Sequence, residues 1–155
     1  MPTLTTKVLE EITINGNKSR FVNSKSIDGI NNIYTRTIAL PTSQTTTLVT
    51  FQTSENTSDG ALDLEDTRYI RITNLSTQNT VTLSLQVSND EDGAADYSAS
   101  ILLDAGKSFM LGTVHDGIQV SDGDANVITT LVDLESIAAV CGGTEVSLEL
   151  FVATL

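Results

Sequence analysis

From Val81 to Val87 the chain alternates without a break: Val81, Leu83, Leu85 and Val87 fall on one side, Thr82, Ser84 and Gln86 on the other. A period of two marks a strand with one face in a core, because successive side chains leave a pleated backbone on opposite sides. The closing segment does the same, with Val146, Leu148, Leu150 and Val152 against Glu145, Ser147, Glu149 and Phe151. Read this way, the chain predicts strands over Lys7–Ile14, Ile33–Leu40, Thr46–Thr53, Arg68–Asn74, Thr80–Ser88, Ala99–Leu103, Ser108–Gly112, Gly117–Val120, Val127–Val132 and Glu145–Ala153. Turn-forming clusters separate them, among them "NG" at 15–16, "SENTSDG" at 54–60, "NDEDG" at 89–93, "DAGK" at 104–107 and "GG" at 142–143. Short strands at this spacing predict an all-β fold, an antiparallel β-sandwich or jelly roll.

Two stretches depart from the pattern. In "LVDLESIAAVCGG", Leu131, Leu134, Ile137 and Ala138 lie near helical spacing, with Asp133 placed as an N-cap and Gly142 as a stop. That predicts one short helix near residues 133–140. Residues 15–32, "NGNKSRFVNSKSIDGINN", hold no sustained period and read as a long loop or an extended N-terminal segment. Structureless stretches of this length in a compact domain are often functional. The expected organisation is therefore an N-terminal arm over 1–32 and a sandwich domain over 33–155.

Charge sharpens this division. The net charge is -12, yet residues 1–71 carry seven basic and eight acidic residues, while residues 72–155 carry Lys107 against twelve acidic ones. Between positions 15 and 36, Lys18, Arg20, Lys25 and Arg36 face only Asp28, so these four are the expected partner contacts. An acidic body repels nucleic acid and anionic membrane, so neither is an expected partner. No segment approaches the ~20 apolar residues of a membrane span. The N-terminus "MPTLTTKVLEE" lacks the charged start and apolar run of a secretory signal, which predicts synthesis in a cytoplasm.

Hydroxyl side chains take the room that charges normally occupy: 23 Thr and 15 Ser, with charged residues at 18%. The inventory for chemistry is thin. His115, in "GTVHDGIQV", is the lone histidine and Cys141 the lone cysteine, too few for a zinc centre of about three ligands. A hydrolase with His115 as base is the enzymatic rival, but no "GxSxG" elbow or phosphate-binding glycine loop accompanies it. "DGDANVITTLVD" places Asp122, Asp124, Asn126 and Asp133 at positions 1, 3, 5 and 12 of an EF-hand-like loop. Val127 occupies the position where that loop needs Gly, which makes the four a weak calcium candidate. The expectation is a protein with no catalytic residues and no cofactor.

A hydroxylic strand face with few charges can lie against another protein without stranding buried charge. The runs "RYIRITNLSTQNTVTLSLQVSND", "YSASILLDAGKSFMLG" and "DLESIAAVCGGTEVSLELFVATL" together resemble small virion structural proteins of tailed bacteriophages, those of marine and cyanobacterial phages above all. The likeness covers roughly residues 33–155 and is one of strands and turns, so it carries over no site residue. It implies a capsid decoration (cement) protein on the virion, a homo-oligomer with a trimer favoured, bound to the major capsid protein or other virion proteins. Its alternative is a tail, neck or fibre component with a receptor- or glycan-recognition role.

Overall fold

The computed structural model describes residues 1–52, 61–87, 97–120 and 127–155. Eleven strands run through them: β1 (Thr3–Ile14), β2 (Asn17–Asp28), β3 (Asn32–Leu40), β4 (Thr46–Gln52), β5 (Ala61–Asp63), β6 (Thr67–Asn74), β7 (Val81–Val87), β8 (Tyr97–Leu103), β9 (Ser108–Leu111), β10 (Leu134–Cys141) and β11 (Val146–Thr154). They form a five-stranded sheet, β5-β4-β10-β7-β8, a four-stranded sheet, β3-β11-β6-β9, and a separate two-stranded sheet of β1 and β2. Among the described ladders only the short β4–β5 pair is parallel, beside an isolated parallel bridge from Thr42 to Cys141.

The two larger sheets make a β-sandwich because their alternating apolar faces meet. Ile38 and Leu40 of β3, Ile70 and Ile72 of β6, and Leu148, Leu150 and Val152 of β11 share one core with Val49 and Phe51 of β4, Leu83 and Leu85 of β7, and Ile137 of β10. Each fully buried Leu or Ile side chain contributes about 1.5–3 kcal/mol relative to exposure. One end is closed by a satisfied polar side chain. Asn74 is fully buried and donates through Nδ2 to the carbonyls of Asn79 (2.8 Å) and Leu103 (3.2 Å), while its Oδ1 accepts from the Ser76 amide at 2.9 Å.

The segment read as a helix near residues 133–140 is strand β10, and no helix occurs among the described residues. β10 lies between β4 and β7 at the centre of its sheet. Its ladder with β7 slips between Leu134 and Ser136, and its ladder with β4 slips between Ile137 and Ala138. Bulges of this kind reset the alternation, so Leu134 and Ile137 are buried three positions apart and imitate a helical stripe. Asp133, read as an N-cap, accepts the amide of Asp116 from another turn. The predicted strands Gly117–Val120 and Val127–Val132 reduce to a single bridge, Ile118 to Val132.

The N-terminal region also differs from its reading as a loop. Residues 17–28 pair along their whole length with β1, from Ile14↔Asn17 to Thr3↔Asp28. The two-residue turn has positive φ at both positions, 50° at Asn15 and 80° at Gly16. That is the type I′ geometry whose twist matches a hairpin, and Asn-Gly is the pair best suited to it.

Candidate assembly surfaces

The hairpin stands clear of the sandwich. Every side chain from Lys7 to Ser26 is exposed, and partial burial begins only at its root, at Leu4, Thr6 and Ile27. Twelve residues at ~3.4 Å each make an element roughly 40 Å long. The root is fixed by backbone: the amides of Gly29 and Ile30 donate to the carbonyl of Pro2 (3.0 and 3.2 Å), and Asn31 donates to Thr154 of β11 at 3.0 Å. Ile30 is buried beside this junction.

Cross-strand register sorts the hairpin side chains onto two faces. Leu4, Val8, Ile12 and Ile14 of β1 share one with Phe21 and Ile27 of β2. Phe21 is 62% exposed and Ile14 58%. The other face carries Lys7, Glu11, Lys18 and Arg20 around a Leu9–Val22 pair. Lys18 and Arg20, two of the four cations expected to contact a partner, thus lie side by side, with Lys18 Nζ 2.9 Å from Glu11 Oε1. Lys25 sits on the apolar face, and Arg36 is on β3, an exposed edge strand of the sandwich. The four do not form one patch.

The hydroxylic side of β7 faces outward. Thr82, Ser84 and Gln86 are half-buried on the outer surface of the five-stranded sheet, continued by Ser98 and Ser100 of β8 and Ser136 of β10. Ser136 Oγ donates to Gln86 Oε1 at 2.6 Å. The neutral face is therefore covered neither by the second sheet nor by the hairpin.

The outer surface of the four-stranded sheet has another chemistry. The rings of Tyr69 and Phe151 meet edge to face with centroids 6.0 Å apart, and Arg71 lies 5.8 Å from the Phe151 centroid. Arg71 Nη2 also donates to Glu149 Oε1 at 2.6 Å. Exposed Met110 of β9 and Ile33 of β3 flank the group. Phe151, alone among Ser and Glu on the polar side of its strand, was the local signal for it. Its partners lie some eighty positions earlier in the chain, beyond local pattern.

His115 sits in a turn with Asp116, whose φ is 47°. Its Nδ1 lies 2.9 Å from Asp133 Oδ1, and its Nε2 3.5 Å from Asp116 Oδ2. The two carboxylates approach opposite ring nitrogens, and one ligand atom from each of His115, Asp116 and Asp133 lies within 4.8 Å of the other two. Of the calcium candidates, Asp122, Asp124 and Asn126 lie outside the described residues, and Asp133 Oδ1 already accepts the Asp116 amide and lies 2.9 Å from His115 Nδ1. Comparison with protein-family models, with curated proteins and with solved structures gives no match.

Proposed function

We propose that this chain is a non-enzymatic virion structural protein, a capsid decoration protein that binds the outer shell, chiefly the major capsid protein, through its N-terminal hairpin and neutral β surfaces. One observation carries the reading: a fully paired hairpin, roughly 40 Å long at ~3.4 Å per residue, projects from the sandwich with both faces exposed, one of them carrying Lys7, Lys18 and Arg20 around Leu9 and Val22. An isolated two-stranded hairpin is marginal in water, and contiguous exposed apolar surface marks contact with another macromolecule. The Lys18–Arg20 face supplies cations to an acidic partner, and the hydroxylic sheet face can pack without burying charge.

Co-sedimentation with purified shells that lack their decoration layer tests this. The full chain is expected to bind, and a chain lacking residues 1–28 is expected to fold but remain in the supernatant. Normal binding by the truncated chain would refute the role of the hairpin; no binding by the full chain would refute decoration itself.

The Tyr69–Phe151 pair favours a second reading, a tail or fibre component that recognises glycans, since aromatic faces are a common platform for sugar rings. Saturable oligosaccharide binding lost in Phe151→Ala would support it. Absence of saturation across a panel of host surface glycans would remove it.

A further inference from the structure

The apolar face of the hairpin carries just two charges, Glu10 and Lys25, and their positions are related by symmetry. Along the ladder each β1 residue faces a β2 residue, giving the apolar-face levels Leu4/Ile27, Thr6/Lys25, Val8/Asn23, Glu10/Phe21, Ile12/Ser19 and Ile14/Asn17. Val8/Asn23 lies midway between the level with the acid and the level with the base. We infer that this face binds the same face of a second copy of the chain, as an antiparallel pair of hairpins about a two-fold axis through Val8.

The register follows from the pattern. Reversing one hairpin over another about the Val8 level sets Glu10 against the Thr6/Lys25 level of the second copy, and Lys25 against its Glu10/Phe21 level. Two identical ion pairs form, the self-complementarity that an isologous interface requires. In the same register Leu4 meets Ile12 of the second copy and Val8 meets its own equivalent. Stacked sheets lie ~10 Å apart, a gap that a Glu and a Lys side chain reaching toward each other can close. Shifting the register by one level would set Glu10 against Val8 and leave Lys25 beside Ile12, with neither charge matched.

Electrostatics of the whole chain select the antiparallel arrangement. Residues 1–28 hold four basic and three acidic residues, a net +1; residues 29–155 hold four basic and seventeen acidic, a net -13. A parallel pair would set the two acidic sandwiches side by side. An antiparallel pair puts them at opposite ends of a rod of roughly 40 Å, several times the ~8–10 Å screening length of physiological salt. A pair about a two-fold axis also replaces the trimer favoured from sequence as the first assembly step.

The inference does not rest on the virion reading and is tested apart from it. The mass of the full chain is measured by light scattering over a concentration series, beside Glu10→Lys, Lys25→Glu and the double exchange. Wild type is expected to dimerise, and each single variant to dissociate at least tenfold more readily, because each change sets like charges together twice. The double exchange is expected to return to within about threefold of wild type. A monomer or trimer at all concentrations, a dimer indifferent to the single changes, or a double exchange as weak as either single would overturn the proposal. Lys18→Glu/Arg20→Glu, on the opposite face, is expected to keep the dimer and lose shell binding, so failure of one idea is distinguishable from failure of the other.

Discussion

Asn74 holds the carbonyl of Leu103 across the end of the sandwich: its Nδ2 donates at 3.2 Å although 29 positions separate the two. With Asn79 and Ser76 also bound, one fully buried side chain bonds three main-chain groups, the carbonyls of Asn79 and Leu103 and the amide of Ser76. Asn74→Ala leaves all three without that partner. An unsatisfied buried polar group costs about 1–3 kcal/mol, so a loss of about 3 kcal/mol is expected. A urea titration should show it as a lower midpoint with an unchanged slope.

Two glycines that look alike in sequence should behave differently. A Cβ on Gly117 would sit 2.5 Å from the carbonyl oxygen of Thr113, in backbone that cannot swing away. Around Gly112 there is open space. Gly117→Ala is expected to lower the thermal midpoint by several degrees, and Gly112→Ala to move it by no more than about 2 °C, within the range of ordinary surface changes of ±0.5 kcal/mol.

At the hairpin tip, Gly16→Val forces a β-branched residue into φ of 80°. Backbone of that kind costs about 1–2 kcal/mol for an L-residue. Because the hairpin has no core of its own, the loss should stay local. Hydrogen exchange is expected to quicken across β1 and β2 while β7, β10 and β11 keep their protection.

Arg71 and Glu149 form an ion pair with side chains 30% and 35% exposed, over the face of Phe151. Partial burial and the ring lift it above a free surface pair, for which 0.2–1 kcal/mol is usual. A double-mutant cycle of Arg71→Ala and Glu149→Ala is expected to return a coupling of about 1 kcal/mol. A coupling near zero would reduce the contact to crowding on a polar face.

The sandwich was legible wherever one face of a strand meets the core and the other meets water. Val81–Val87 and Val146–Thr154 announce themselves because burial imposes a period of two. β10 hid because it is central and bulged, so burial at Leu134 and Ile137 fell out of step with its pleat. β2 hid for the opposite reason. With no core opposite, its apolar residues thin out to Phe21, Val22 and Ile27, and the surviving sign was the Asn15–Gly16 turn, read only as a separator. The cations Lys18 and Arg20 are visible in the sequence as a local excess of positive charge, but which face each occupies depends on register with β1. The Tyr69–Phe151 group depends on register between β6 and β11, which no local window contains.

The root of the hairpin sets how the molecule bears load. β2 passes through three residues into β3, and β3 is bonded along nine positions to β11, from Asn32↔Thr154 to Leu40↔Val146. A pull on the arm directed along β3 is met in shear: the rungs of that ladder strain together and none opens first. β11 is held on its other side by β6, so the tug is shared across the middle of the sheet. A tether built this way passes its load from the edge strand β3 into β11 and β6 in the middle of the sheet.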